Sequence, residues 1–157
     1  ELFFSNLDRM EKQRLESPFV GNQVCAACHA EIDTIWQKSR HAHAFATLEK
    51  KNKHFDPECL ACHVVGLNPW EAPENASVAD RKFEGGTGFL SLQTTPHLKN
   101  VQCENCHGPA RLHLENNKIK PANNDPTMSC VICHQGSHSP VFNFETYWPK
   151  IKHGRLN

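Results

Sequence analysis

All eight cysteines and four of the eleven histidines fall into one pentapeptide pattern, Cys-x-x-Cys-His, written four times: Cys25 and Cys28 with His29, Cys59 and Cys62 with His63, Cys103 and Cys106 with His107, and Cys130 and Cys133 with His134. This is the signature of c-type haem attachment. Two thiols three positions apart can both add across the vinyl groups of one porphyrin, and the adjacent imidazole then swings beneath the iron. Each motif therefore supplies two thioether bonds and a proximal ligand, and the chain is expected to carry four haem c groups.

Zinc is the competing chemistry, because paired Cys-x-x-Cys elements also build tetrahedral zinc ribbons. Zinc does not require the following histidine. With 11 His in 157 residues a random position is His about 7% of the time, so four out of four is not a compositional accident. No cysteine is left over as a reactive thiol.

Whether each iron is closed or open decides what it can do, since six-coordinate haem transfers electrons and an open position admits a small molecule. Seven histidines lie outside the motifs: His41, His43, His54, His97, His113, His138 and His153. Met10 and Met128 are weaker candidates, so bis-His ligation is the default. His41 and His43 stand about 200° apart on a regular helix, so they cannot both serve one iron; periodicity does not choose between them. His97 and His113 lie six residues from the third motif, too near to loop over that haem easily. Each is expected to serve a neighbour, which implies closely packed haems.

The elements that must position these residues are short. Residues 1–20 read as a polar arm or helix ending at Ser17-Pro18, and residues 21–157 as the haem-bearing domain. Ala30 to Lys51, rich in Ala, Glu and Lys and free of Gly and Pro, is the best helix candidate. Residues 64–100 are broken by Gly66, Pro69, Pro73, Gly85, Gly86, Gly88 and Pro96. Residues 108–117 read as helical and 118–129 as a loop. The aromatic tail from Ser139 could clamp a haem edge or simply pack on itself. Successive first cysteines are 34, 44 and 27 residues apart, too irregular for a solenoid. The expected fold is mainly α with long irregular loops and little or no sheet.

Apolar residues make up only 38% of the chain and mean hydropathy is -0.59, thin for a conventional core. With one porphyrin per roughly 39 residues, the cofactors themselves are expected to form the core. The formal charge of +0 argues against nucleic acid, which needs a basic footprint. Haem propionates would make the assembled protein acidic and direct it to redox partners with basic or mixed surfaces. The longest apolar cluster near the start, Leu2-Phe3-Phe4, is too short to span a membrane. Haem attachment of this kind implies a periplasmic or extracellular location, with any export signal removed or outside this sequence.

At these residues the chain resembles the tetrahaem cytochrome c-554 family. The likeness is carried by Val20-Gly21, by Trp36 with Ser39-Arg40-His41-Ala42-His43-Ala44-Phe45, by Cys59 to Gly66, and most specifically by Val101-Gln102-Cys103-Glu104-Asn105-Cys106-His107-Gly108-Pro109. The resemblance implies a helical, haem-packed fold in which stacked and angled haem pairs pass electrons, related in haem arrangement to hydroxylamine oxidoreductase and pentahaem nitrite reductase. It also implies His113 on the His29 haem, His41 on the His134 haem, with His43 as the alternative, and His153 on the His107 haem. Within the family the second haem can be five-coordinate, and there the position matching His97 is not histidine. Its presence here leads to the expectation that His97 closes the His63 haem.

An oxidoreductase acting on hydroxylamine, nitrite or nitric oxide at an open haem is the alternative, with His43, His54 and His138 as candidate acids or bases. No Cys-x-x-Cys-Lys motif supports it. A third class is an extracellular haem wire, in which a histidine from one copy completes a haem in the next.

Overall fold

The computed structural model describes residues 11–12, 15–67, 88–121 and 125–154. Leu2, Phe3, Leu7, Met10 and the stretch 68–87 lie outside the described residues. The architecture is a string of one- and two-turn helices: α1 (Asn22–Ala26), α2 (Ala30–Gln37), α3 (Ala44–Lys50), α4 (Pro57–Leu60), α5 (Cys103–His107), α6 (Arg111–Glu115), α7 (Pro126–Cys133) and α8 (Phe144–Tyr147). Short 3-10 turns at Arg40–His43, Pro96–Leu98, Gly136–His138 and Trp148–Lys150 join or extend them. The fold is mainly helical, and among the described residues extended pairing is confined to one antiparallel bridge, Val64 to Lys99.

Local chemistry explains why the pieces start where they do. Asp56 caps α4 by accepting from Glu58 N at 3.1 Å, and Pro57 takes the first helical position, where a missing N–H costs nothing. The same Asp-Pro device starts α7, with Asp125 accepting from Thr127 N at 2.8 Å. Asn143 caps α8 through Thr146 N at 3.1 Å. Gly108, at φ +74°, ends α5.

The stretch 30–51, expected as one helix, is two. α2 stops at Gln37, and Ser39 turns extended while its hydroxyl donates to Trp36 O at 2.6 Å. That local bond competes with helix continuation. The chain restarts as a 3-10 turn carrying both His41 and His43, so neither lies on the regular helix from which their faces were read.

The apolar core is small and sits beside the second motif: Phe45, Leu48, Leu60, Val64, Val65, Phe89 and Leu98, with Phe19, Cys59, Leu67 and Leu92 packed around it. Elsewhere large apolar side chains stay at the surface, among them Leu112, Leu114, Met128 and Val141. Peptide alone buries little at the other three motifs. One close approach holds the core's edge. Gly66 has φ +77°, and a Cβ there would fall 2.5 Å from Gly88 Cα and 2.7 Å from the Phe19 ring. Gly66→Ala is therefore expected to destabilise the protein by about 3 kcal/mol or more, through overpacking and a strained left-handed backbone, read as a lowered denaturation midpoint.

Candidate haem-binding site

Each motif is wound on about one helical turn, which brings its two thiols to one face. His29 N donates to Cys25 O at 2.9 Å, His134 N to Cys130 O at 2.8 Å and His63 N to Leu60 O at 2.9 Å. The third motif forms α5 outright. All eight cysteines are free thiols, and among the described residues no three His, Cys, Asp or Glu side chains converge as a metal cluster.

Three motif histidines face a second imidazole. Ring centroids are 6.3 Å apart for His29 and His113, 6.1 Å for His41 and His134, and 5.8 Å for His107 and His153, with interplanar angles of 31°, 43° and 42°. Two imidazoles on opposite sides of one metal, with bonds of about 2 Å and ring centres about 1.2 Å beyond each nitrogen, would have centroids about 6.4 Å apart. The spacing fits the group the motifs call for.

Hydrogen bonds fix several of these rings through Nδ1, leaving Nε2 for a metal. His63 Nδ1 donates to Ala44 O at 2.7 Å, His113 Nδ1 to Ile119 O at 2.8 Å and His153 Nδ1 to Gly154 O at 3.1 Å, and His134 Nδ1 is hydrogen-bonded with Ser139 Oγ at 3.0 Å. Burial pushes His41 and His134 toward the neutral form, and the charge of His134 adds to this at His41. Neutral imidazole is the ligating form.

His43 is exposed while His41 is half-buried against His134. His97 is half-buried in the turn Pro96–Leu98, which lies against the second motif's exit: Val65 N donates to Leu98 O at 2.9 Å. His97 Cδ2 also lies 3.4 Å from the position a Cβ would take on Gly21. His54 packs on Phe45, 6.3 Å between centroids, with its Nδ1 buried and unbonded. His138 and Met128 are exposed, and Met10 is outside the described residues.

The attachment sites adjoin one another. The Cys25 thiol neighbours that of Cys103, and the Cys62 thiol neighbours that of Cys133. The neighbouring sulfur and then burial push the Cys25 and Cys133 thiols up, whereas the same neighbour lowers Cys103 and lowers Cys62 to about 7. Burial and then the neighbouring charge of Cys130 push Cys106 up to about 11. The first motif thus abuts the third, the second abuts the fourth, and the third neighbours the fourth.

The residues that hold this arrangement were not recognised as structural from sequence. Glu104, between the cysteines of the third motif, is buried and accepts from Val20 N at 3.1 Å, Gly21 N at 2.9 Å and Ala110 N at 2.9 Å. Burial raises its carboxyl above the ordinary value, and the three N–H donors pull it back toward the charged form. Gln102 accepts from Asn22 N at 2.7 Å and donates to His97 O at 2.8 Å and Lys99 O at 2.7 Å. Asn105 donates to Val64 O at 2.8 Å, and Trp36 Nε1 to Val101 O at 2.7 Å. The third motif is a hub that ties the first and second motifs to α2. The polar residues inside an otherwise apolar-flanked Cys-Glu-Asn-Cys-His were the signal that could have revealed it.

Helical turns that present Cys-x-x-Cys-His, each with a second imidazole within reach across the motif in three cases, define a c-type haem protein. The model of the family described as cytochrome c554 and c-prime matches residues 24–108, more than half of the chain, and the chain belongs to that family. The match spans the first three motifs; the fourth and the tail lie beyond it. Cytochrome c-554 of Nitrosomonas europaea is 28% identical over 111 residues, which cover 61% of this chain and 40% of that protein. The chain therefore spans well under half of that relative's length. No solved structure matches the chain.

Proposed function

We propose that the chain carries single electrons between redox proteins outside the cytoplasm, through four covalently attached haems that are all bis-His and low-spin. The observation that carries this reading is the set of three facing imidazole pairs at 5.8–6.3 Å. Cys25 and Cys28 would hold the first haem, with His29 and His113 on its iron; Cys103 and Cys106 the third, with His107 and His153; Cys130 and Cys133 the fourth, with His134 and His41. His97 is assigned opposite His63 on the second, held by Cys59 and Cys62. The backbone pairing of Leu98 with Val65 supports that assignment by keeping the His97 turn beside the second motif.

When bound, each haem supplies an iron that changes by one electron between ferric and ferrous. The chain's own part is to keep that change small in reorganisation. Paired imidazoles would hold each iron, and Nδ1 hydrogen bonds keep the His63, His113, His134 and His153 rings in place. The thiol contacts support a route in the order first, third, fourth, second. Across the His107 pair, His153 approaches its own chain's motif at 5.8 Å, which favours intrachain closure over donation to a neighbouring copy in a filament. Among the described residues no helix is long and apolar enough to cross a membrane.

The test is the intact mass and electron paramagnetic resonance of the oxidised holoprotein. Four haem additions and only low-spin signals are expected; fewer haems, or a high-spin signal in the native protein, would overturn the reading. His97→Ala is expected to convert one haem to high-spin and let the reduced protein bind carbon monoxide. Unchanged ligand binding rejects His97 as that ligand, and carbon monoxide binding by the reduced native protein returns the second haem to the open-site alternative, whose mark is turnover of hydroxylamine, nitrite or nitric oxide.

A further inference from the structure

Of the four imidazoles whose Nδ1 acceptor is described, three lean on the main chain: His63 on the Ala44 carbonyl, His113 on that of Ile119 and His153 on that of Gly154. His63 has the Thr47 hydroxyl as a further neighbour at 3.5 Å. His134 differs, because its Nδ1 acceptor is the side chain of Ser139 at 3.0 Å. A backbone carbonyl persists under almost any substitution. A serine hydroxyl is a chosen group, and a weaker acceptor than an amide carbonyl or a carboxylate.

The surroundings leave the ring little freedom to find another acceptor. Phe142 stacks on His134 at 4.8 Å and 13°, and Tyr147 meets it edge-on at 5.5 Å and 77°. Phe142 and Tyr147 brace each other at 5.1 Å, and Lys150 sits 4.9 Å over the Tyr147 ring. The turn that offers the hydroxyl also places the stacking ring, since Phe142 N donates to Ser139 O at 3.1 Å. Ser139, Phe142 and Tyr147 thus form a cradle that holds the orientation of His134, and with Nε2 as the ligating atom Nδ1 keeps its proton and donates it to Ser139 Oγ.

We propose that Ser139 is a positioning residue that sets the reduction potential of the fourth haem through the His134 Nδ1–H to Ser139 Oγ hydrogen bond, independently of the other three. This rests on the reading of His134 as an axial ligand. A stronger acceptor at Nδ1 draws the proton away and makes Nε2 a better electron donor, which stabilises ferric over ferrous iron and lowers the potential. A weaker acceptor does the reverse. The fourth haem, adjoining both the second and the third, is where such a control alters the driving force of two steps at once.

The experiment is a spectroelectrochemical titration of the holoprotein with Ser139→Ala, Ser139→Asp and Ser139→Thr, each checked by electron paramagnetic resonance. Ser139→Ala should move one one-electron component to higher potential and Ser139→Asp should move the same component lower. Ser139→Thr, which keeps the hydroxyl, should restore the native value. Shifts of the same sign in the Ala and Asp variants, no shift, or movement of all components together overturns the inference if low-spin signals persist, and leaves the ligation reading standing. Low-spin signals that do not account for the His134 iron in the native protein overturn the ligation reading, and this inference with it.

Discussion

Replacement of His41, His113 or His153 by alanine, one at a time, is expected to turn one quarter of the haem iron from low-spin to high-spin while the other three haems keep their spectra. Each histidine is the only second imidazole at 5.8–6.3 Å from its motif partner among the facing pairs. Removing it leaves a methyl group where a nitrogen lone pair had been, and nothing of comparable basicity stands in that position. The opened iron should bind carbon monoxide when reduced, giving about one equivalent per protein, and its potential should rise because a strong donor is lost. His43→Ala is the control. His43 is exposed in the same 3-10 turn as His41, so its loss should change neither the spin count nor carbon monoxide binding. A high-spin signal in His43→Ala but not in His41→Ala would reverse the assignment within the fourth pair.

Glu104→Ala should destabilise the holoprotein by about 3 kcal/mol or more, because buried N–H donors lose their acceptor at about 1–3 kcal/mol each, with Glu104→Gln at about half of that. Three backbone N–H groups, from Val20, Gly21 and Ala110, converge on this one carboxylate. Truncation leaves them buried without an acceptor, and each unmade bond costs about 1–3 kcal/mol. Glutamine keeps one oxygen but turns an NH2 group toward donors that cannot accept from it. Guanidinium denaturation followed by far-ultraviolet circular dichroism gives the numbers. An Ala variant within about 1 kcal/mol of native would mean that solvent reaches these amides and that the hub is looser than its geometry. Because Val20 and Gly21 lead into the first motif, the first haem's spectrum should respond before the others.

The attachment chemistry was legible because it is local. Cys-x-x-Cys-His fits within five residues, and helical geometry at that range needs no help from distant chain. The mainly helical class was implied by the family resemblance and by the helix candidate at Ala30 to Lys51, and the absence of any sheet among the described residues agrees with it. The break at Lys38–Ser39 was not legible, because Ala30 to Lys51 contains no Gly or Pro and only the Ser39 hydroxyl, bonding back to Trp36 O, ends the helix. Glu104 read as one more polar residue in a motif. Its role depends on Val20 and Gly21 folding back across most of the family's matched length, a contact no spacing rule anticipates.

What the sequence by itself determined, then, is the cofactor class, since thiol and imidazole chemistry at fixed short spacing has few other uses. The three facing imidazole pairs are those the family resemblance implies, and only the tertiary structure decided which of His41 and His43 turns inward and which motifs adjoin. His41 rather than His43 turns inward because the helix breaks before both and the restarted turn is tied down elsewhere, His41 O accepting from Val101 N at 3.2 Å and Phe45 N donating to Asn100 Oδ1 at 2.9 Å. Those partners lie some sixty residues along the chain, held in place by the third motif's buried hydrogen bonds. Pairing across such distances is set by how loops close around buried polar groups, and no local pattern encodes it.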